Sequence, residues 1–566
     1  MTWGKRRAIV IIVLVVFFVV LIFWTASKPN MRIASNSVLV IDATGQIEEQ
    51  RAPDFFSAFS GTVPVLHDYL DALDNARTDS RITGVVVRIA PLQTGWAKLE
   101  EIRNHLLAFR TSGKPSICYL GYDGIQNQEY YLASACQQIW LVPTTPVNIR
   151  GMMAEATFIR GTLDKLKIVP EYYHIAEYKT FGNMYTEKKF TPAHKEEVES
   201  LLHSVYEQYL GDTSKARGMN RDQFEAILNR GPLSPGDAVE TKIVDRLGYW
   251  DQVQDYFKQR AGGWNPVSLN TYRTTLVAPN FALDKIAIVY ASGLIVSGDS
   301  GTTPGGGFIM GGDSVAADIR RARLDSGIKA IVLRVDSGGG SVVGSEVIRR
   351  EVQLAHGVKP VVVSMSDVAA SGGYWIASPA DKIVADRDTI TGSIGVIIGK
   401  LNVSGLFNLL GVSTDYVATS DNATLFSAQQ NFTPAQRAYI QKSLNETYAD
   451  FTKGVAKGRK MSVEAVDKIG KGRVWSGAQA KELGLVDELG GLDRAIEIAK
   501  QLSNIPASDS VHIVRYPEEK SFFQQIMERE KDNNMSESQS LEAMLRHIVS
   551  QMEPVQACMP YELRIR

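Results

Sequence analysis

Ser371 is the residue of this chain best placed to act as a nucleophile. It sits in Ala369-Ala-Ser-Gly-Gly373, between the apolar run from Val361 and the aromatic pair Tyr374-Trp375. That pattern predicts a strand, a tight turn and a helix. A serine at the turn is expected to be exposed, with free helix-start amides beside it and Gly372 and Gly373 permitting close backbone approach. The same residues also suit a helix start packed tightly on a strand. A serine hydroxyl needs a base at neutral pH. None of the eight histidines offers one, since there is no Gly-x-Ser-x-Gly elbow and no readable His-Asp pairing. A lysine can serve if its free pKa near 10.4 falls by about 2 to 3, at a cost of roughly 3 to 4 kcal/mol, through burial away from carboxylates. Ser393, in Thr391-Gly-Ser-Ile-Gly395, is the natural hydroxyl to orient such an amine. Asp336-Ser-Gly-Gly-Gly-Ser341 follows another apolar run and opens a helix, so amides near Gly339, with that of Gly372, could hold a developing negative charge. Phosphate binding is the competing use of such a loop, but the run is neither Gly-x-Gly-x-x-Gly nor a Walker A.

The elements that must position these groups come round twice. Short apolar runs alternate with amphipathic stretches, which predicts an α/β fold with a largely parallel sheet. Arg81-Ile-Thr-Gly-Val-Val-Val-Arg-Ile89 recurs as Gly327-Ile-Lys-Ala-Ile-Val-Leu-Arg-Val335. Each is followed by a helix carrying Glu, Ile and Arg: Glu100, Ile102 and Arg103, then Glu346, Ile348 and Arg349. Lys114-Pro115 answers Lys359-Pro360, Phe190-Thr-Pro-Ala193 answers Phe432-Thr-Pro-Ala435, and Ile243-Val-Asp answers Leu485-Val-Asp. A near-constant offset over this length is a domain-sized duplication. The copies differ where chemistry would sit. Opposite Ser371-Gly-Gly-Tyr-Trp375 the first copy has Asn127-Gln-Glu-Tyr-Tyr131, without the serine. Opposite Glu177-Tyr-Lys-Thr180 the second copy has Thr419-Ser-Asp-Asn422, without the lysine. Each copy therefore holds half of a possible site, with Lys179 as base for Ser371. A solvated surface lysine is the plain alternative for Lys179.

Lys5-Arg-Arg7 precedes an uncharged apolar run from Ala8 to Trp24. About 17 residues of helix span roughly 26 Å, enough for the hydrocarbon core, so an uncleaved anchor with a cytosolic N-terminus is expected. The 44% hydrophobic and 22% charged composition is ordinary for a globular chain, and a formal net charge of -1 provides no general field for nucleic acid. Cys118, Cys136 and Cys558 show no metal-ligand spacing and no disulfide framework, and the first two read as core residues. Neither metal nor cofactor is expected. Ser297 to Asp313 reads as a flap or loop. Leu541 to Met552 carries one apolar helical face, suited to docking on the protein or a second subunit.

The second copy's LRVDSGGGSVVGSEVIRREV, VAASGGYWIAS and TGSIGV, with EYKTFG in the first and the N-terminal anchor, resemble the long, duplicated signal peptide peptidase A type of the S49 family of Ser-Lys peptidases. The resemblance implies two tandem Clp-protease-like or crotonase-like α/β domains behind one transmembrane helix. It implies Ser371 as nucleophile, Lys179 as general base and Ser393 as the lysine-orienting hydroxyl. It also implies a homo-oligomer, a tetramer in the long type, which clears cleaved signal peptides and other apolar peptides at the outer face of the bacterial cytoplasmic membrane. One departure is Gly338, where the family's usual Ser-Pro-Gly-Gly becomes Ser337-Gly-Gly-Gly340. The expected layout is residues 1–7 cytosolic, 8–24 anchor, 25–260 first domain, 261–284 linker, 285–516 second domain and 517–566 tail. A crotonase-like acyl-CoA enzyme and a non-catalytic membrane-tethered scaffold are the rival expectations; neither needs Lys179.

Overall fold

Short β-branched runs become the inner strands of two parallel sheets. In the computed structural model the described residues are 33–51, 63–261, 263–275, 282–302, 307–518, 556–558 and 564–565. The apolar run 8–24 and the face of Leu541 to Met552 lie outside them. Among the described residues no helix is long and apolar enough to cross a membrane.

In the first copy, β1 (Ser37–Gly45), β2 (Ile82–Leu92), β3 (Ser116–Leu120) and β4 (Gln138–Leu141) form the sheet centre, and β5 (Ala154–Glu155) and β6 (Val169–His174) leave it. With β7 (Arg246–Leu247) and β8 (Asn265–Ser268) the order is β7-β4-β3-β2-β1-β8, parallel throughout. The second copy comprises β9 (Lys285–Ser292), β10 (Leu294–Val296), β11 (Gly301–Thr302), β12 (Phe308–Gly311), β13 (Ile328–Ser337), β14 (Gly339–Ser341), β15 (Val361–Ala370), β16 (Lys382–Ala385), β17 (Ile390–Gly392), β18 (Ile397–Asn402), β19 (Val474–Ser476), β20 (Glu488–Leu489) and β21 (His512–Tyr516). Its parallel core runs β20-β16-β15-β13-β9-β21, the order of the first copy. Ile331, Val332 and Leu333 in β13 are wholly buried, as expected for a strand covered on both faces. Each such side chain contributes roughly 1.5–3 kcal/mol by leaving water. Two further strands, β22 (Gln556–Cys558) and β23 (Arg564–Ile565), come from the far end of the sequence.

The recurring motifs do the same work in both copies. Lys114 and Lys359 each donate from Nζ to two carbonyls at the end of a preceding helix, those of Ala76 and Asp79 and those of Ala322 and Asp325. Asp245 accepts the Ile139 amide at 2.6 Å and Asp487 the Ile383 amide at 2.8 Å, fixing β4 and β16. Thr191 and Thr433 cap the long helices Pro192–Ala216 and Pro434–Arg459, each with proline in the first turn, where its missing N–H costs nothing.

Buried charge fastens the copies together. Arg334 of β13 donates to both Glu49 oxygens at 2.8 and 2.9 Å, to Glu101 and to Ser364, with no solvent exposure. Lys98 pairs with Asp336 at 2.7 Å and Asp367 at 3.2 Å, and Asp367 also accepts the amides of Gly95 and Lys98 at the start of helix Trp96–Arg110. Two expectations are corrected. Cys118 and Cys136 are buried as expected, yet they are joined by a disulfide, their Cα atoms 5.7 Å apart. The stretch from Ser297 to Asp313 is not a bare loop, because it contributes the antiparallel pair β11 and β12.

Candidate active site

The first copy reaches the second through β6. This strand leaves its own sheet and pairs antiparallel with β18, from His174 opposite Ile397 to Val169 opposite Asn402. A mixed sheet β11-β12-β10-β14-β22-β18-β6 results. Gly399 makes the approach possible, since a Cβ there would run into the Tyr172 ring. The chain then continues to Tyr178, whose amide donates to the Lys471 carbonyl at 3.3 Å, and delivers Lys179 to the end of β15.

There Lys179 Nζ lies 2.7 Å from Ser371 Oγ and 3.0 Å from Ser393 Oγ, and it donates to the Ser393 carbonyl at 3.2 Å. All three residues have 0% exposure. Burial penalises the ammonium over the neutral amine, which a base requires. Lys179 and Ser371 meet within one chain, 192 residues apart.

Ser371 ends β15 and caps the short helix Gly372–Ala377 with φ 55° and ψ -114°, a conformation most L-residues avoid. Its amide is tied to Gly392 O at 2.9 Å and its carbonyl accepts from Trp375 at 2.8 Å. Gly373 is required beside it, because a Cβ would stand 2.5 Å from Ser337 O. Ser393 is also left-handed, φ 49°, and is held through its amide by Arg473 O at 2.7 Å and through its hydroxyl by Gly472 O at 3.2 Å.

The expected oxyanion donors fare differently. Gly372 opens the helix, so its N–H has no intrahelical acceptor. The Gly339 N–H donates to Ser337 Oγ at 3.1 Å, so an oxyanion held there would share it. Gly339 and Gly340 adopt φ 98° and 150°, conformations that favour glycine.

The expected exposure of Ser371 is corrected, since the serine is buried. Strand β22 lies between β14 and β18, with Gly339 opposite Cys558 and Ile397 opposite Gln556, and the chain's own backbone thus runs beside the site. Glu197, absent from the sequence reading, ties both sides of the site together. It accepts the Val474 amide at 2.7 Å and the Thr180 hydroxyl at 3.4 Å, next to Arg473 and Lys179 respectively. Burial pushes its carboxyl up to about 8, against the Val474 hydrogen bond and the charges of Arg473 and Lys179. It acts through a backbone amide of the second copy and a hydroxyl of the first, and the only sequence signal was its place one turn into the helix that follows Phe-Thr-Pro-Ala.

A serine at a strained strand-to-helix turn, bonded to a buried lysine amine and flanked by a helix-start amide, suits acyl transfer to and from serine. The chain belongs to peptidase family S49, whose description matches it twice, over residues 108–262 and 353–506. It is therefore a serine protease with tandem S49 domains. Serine protease SPPA, chloroplastic, of Arabidopsis thaliana is 34% identical over 497 residues, covering 86% of this chain and 72% of that protein. Protease 4 of Salmonella typhi is 36% identical over 507 residues, covering 86% of this chain and 78% of that protein. Among solved structures, a ClpP1 mutant from Listeria monocytogenes aligns at TM-score 0.24 and 15% identity, covering 37% of this chain and 94% of that one.

Proposed function

We propose that the chain is a membrane-anchored serine endopeptidase using Ser371 as nucleophile and Lys179 as general base. The observation that carries this is the 2.7 Å contact between Lys179 Nζ and Ser371 Oγ, with Ser393 Oγ 3.0 Å from the same amine and all three groups buried. Lys179 takes the hydroxyl proton as Ser371 Oγ bonds to the scissile carbonyl carbon. The Gly372 amide and the shared Gly339 amide stabilise the oxyanion. Collapse breaks the C–N bond, and the protonated lysine gives its proton to the leaving amine. Water, deprotonated by Lys179, then attacks the ester and releases Ser371.

The substrates are extended apolar peptides, cleaved signal peptides among them. An extended peptide fits between β14 and β18, where main-chain pairing supplies affinity; β22 pairs with both strands in that position. Residues 8–24 anchor the chain in the cytoplasmic membrane with both copies on the outer side, as a homo-oligomer. A disulfide between Cys118 and Cys136 suits the oxidising compartment this requires.

The test is hydrolysis of a quenched fluorescent peptide with a leucine-rich, signal-like core by the detergent-solubilised chain. Ser371→Ala and Lys179→Ala are expected to fall to background while keeping the wild-type circular dichroism spectrum. Undiminished cleavage by Lys179→Ala at neutral pH would remove the lysine from the mechanism.

A further inference from the structure

Strand β15 changes course just before it reaches Ser371. Up to Met365 it pairs with β16, and from Val368 it pairs with β17. Against β13 the change is a bulge: Val335 faces Met365 and Ser337 faces Ala369, so Asp336 alone stands opposite Ser366, Asp367 and Val368. A bulge bends its strand and leaves residues without ladder partners. All three residues are tied elsewhere. The Ser366 hydroxyl donates to Glu49, and the Val368 amide donates to Asp336 Oδ1 at 3.1 Å. The Asp367 carboxylate accepts the first-copy amides of Gly95 and Lys98 at 3.1 and 3.0 Å. Gly95 admits that carboxylate, because a Cβ there would stand 2.1 Å from Asp367 Cγ.

The bulge sets two carboxylates near one another, and Lys98 joins them, its Nζ 2.7 Å from Asp336 Oδ2 and 3.2 Å from Asp367 Oδ2. Lys98 is buried, so water and salt screen this charge little. Of the other acids near it, Glu49 is already paired with Arg334. Both bridged residues adjoin the chemistry. Asp336 immediately precedes Ser337, whose Oγ accepts the Gly339 amide at 3.1 Å and donates to Gly293 O at 2.6 Å. Asp367 lies on the short stretch of β15 that ends at Ser371. The copies also divide this arrangement between them. With Arg88 set opposite Arg334, Lys98 falls opposite Gly344 and Asp336 opposite Ala90. In the first copy β2 and β3 pair without a bulge, from Val85 opposite Ser116 to Ile89 opposite Leu120. The copy with Ser371 has the bulge, and the other copy has the lysine.

We infer that Lys98 is a positioning residue for hydrolysis: by bridging Asp336 to Asp367 across the bulge, it sets the oxyanion loop 337–341 against Ser371. The inference rests on the reading that Ser371 attacks and that amides of this loop hold the oxyanion. The first copy then acts on the reacting geometry twice, once by delivering Lys179 and once by clamping the two strands of the second copy that carry the nucleophile and the loop. Without the cation, two carboxylates would face each other in a low-dielectric interior, and the strands that bear them would move apart. A misplacement of about 1 Å costs on the order of 10²-fold in rate. Lys98 touches none of the reacting atoms and acts through Asp336 and Asp367 alone.

The test compares kcat, KM and urea midpoint for peptide hydrolysis by the full, detergent-solubilised chain. Lys98→Met is expected to lower kcat roughly 10²-fold and to leave KM within about threefold of the wild type. Adding Asp336→Asn removes one of the two charges and keeps an acceptor for the Val368 amide. This double variant is expected to recover kcat to within about tenfold of the wild type. His105→Gln is the control for docking of the copies. His105 lies two turns further along helix Trp96–Arg110 and also reaches the second copy, 3.3 Å from Asp493 Oδ2, but it pairs with neither Asp336 nor Asp367. Its replacement is expected to lower the urea midpoint and leave kcat unchanged. If Lys98→Met does not fold, Lys98→Gln, which keeps a donor, is read in the same way. A wild-type kcat without Lys98, a loss that Asp336→Asn does not relieve, or an equal loss in His105→Gln overturns the assignment. A failure of the dyad reading would appear in Ser371→Ala or Lys179→Ala, which leave Lys98 and its two carboxylates in place.

Discussion

Replacing Arg334 by methionine should unfasten the two copies, and the structure gives both the size and the pH dependence of the loss. Burial alone would raise the Glu49 carboxyl, but the Arg334 guanidinium overrides it and holds the group at about 2, below the usual 4.5. That depression corresponds to about 3 kcal/mol at neutral pH. Methionine fills much of the volume but leaves Glu49 and Glu101 buried without their cation, so a loss of about 3–5 kcal/mol is expected. The sign of the pH effect is set by the folded value lying below the unfolded one. In the wild type this contribution is present above about 4.5 and is lost as pH falls toward about 2. Without the guanidinium, burial dominates and the Glu49 carboxyl moves above 4.5, so the variant gains stability as acid neutralises it. Urea unfolding of the detergent-solubilised chain, followed by tryptophan fluorescence at pH 7 and pH 4.5, measures both effects. The gap between wild type and Arg334→Met should be wide at pH 7 and narrower at pH 4.5. A loss below about 1 kcal/mol at pH 7, or a gap that does not change with pH, refutes the reasoning.

Three further outcomes follow from the same geometry. In Gly472→Ala the new Cβ would stand 2.5 Å from Lys179 N and 2.6 Å from Lys179 Cβ, at φ 82°. Peptide hydrolysis should drop roughly 10²-fold through displacement of the base, with the fold retained by circular dichroism. Glu197, raised by burial to about 8, makes stability complete below about 4.5 and erodes it as pH rises from there to about 8, by up to about 5 kcal/mol. Glu197→Gln should remove that slope from urea midpoints measured between pH 5 and pH 8, and an unchanged slope would count against the assignment. A chain ended after Met552 lacks β22, so an incoming peptide no longer competes with it for β14 and β18. Its KM should fall several-fold with kcat little changed, and an equal KM would mean that β22 does not obstruct the peptide site.

The duplication was readable because its markers are side chains with fixed duties. Lys114 and Lys359 tie off helix ends, Asp245 and Asp487 hold strand amides, and Thr191 and Thr433 cap helices. The meeting of Lys179 with Ser371 could be inferred only by comparing what each copy lacks, since nothing local to either residue names the other. Gly472, Arg473 and Gly392 escaped notice because they act through carbonyls, and carbonyls leave no mark on residue type. The Cys118–Cys136 bond escaped for a related reason: the partners lie 18 residues apart, and it is the parallel pairing of β3 with β4, setting Cys118 opposite Ile139, that brings them together. The burial of Ser371 was not readable either, because the groups against its hydroxyl, Lys179 Nζ and the Gly395 carbonyl, lie 192 residues before it and 24 after it in the sequence.

Dividing the proposed catalytic pair between two copies sets an order in time. As the chain is made, Lys179 emerges first and Ser371 192 residues later, which at about 5 to 20 residues per second is roughly 10 to 40 s. The Gly472–Val474 segment that fixes Ser393 comes later again. Throughout that interval the growing polypeptide carries Lys179 without the serine it meets in the finished fold. On the proposed dyad, hydrolysis begins only when β6 has found β18, so completion of the fold is itself the activation step.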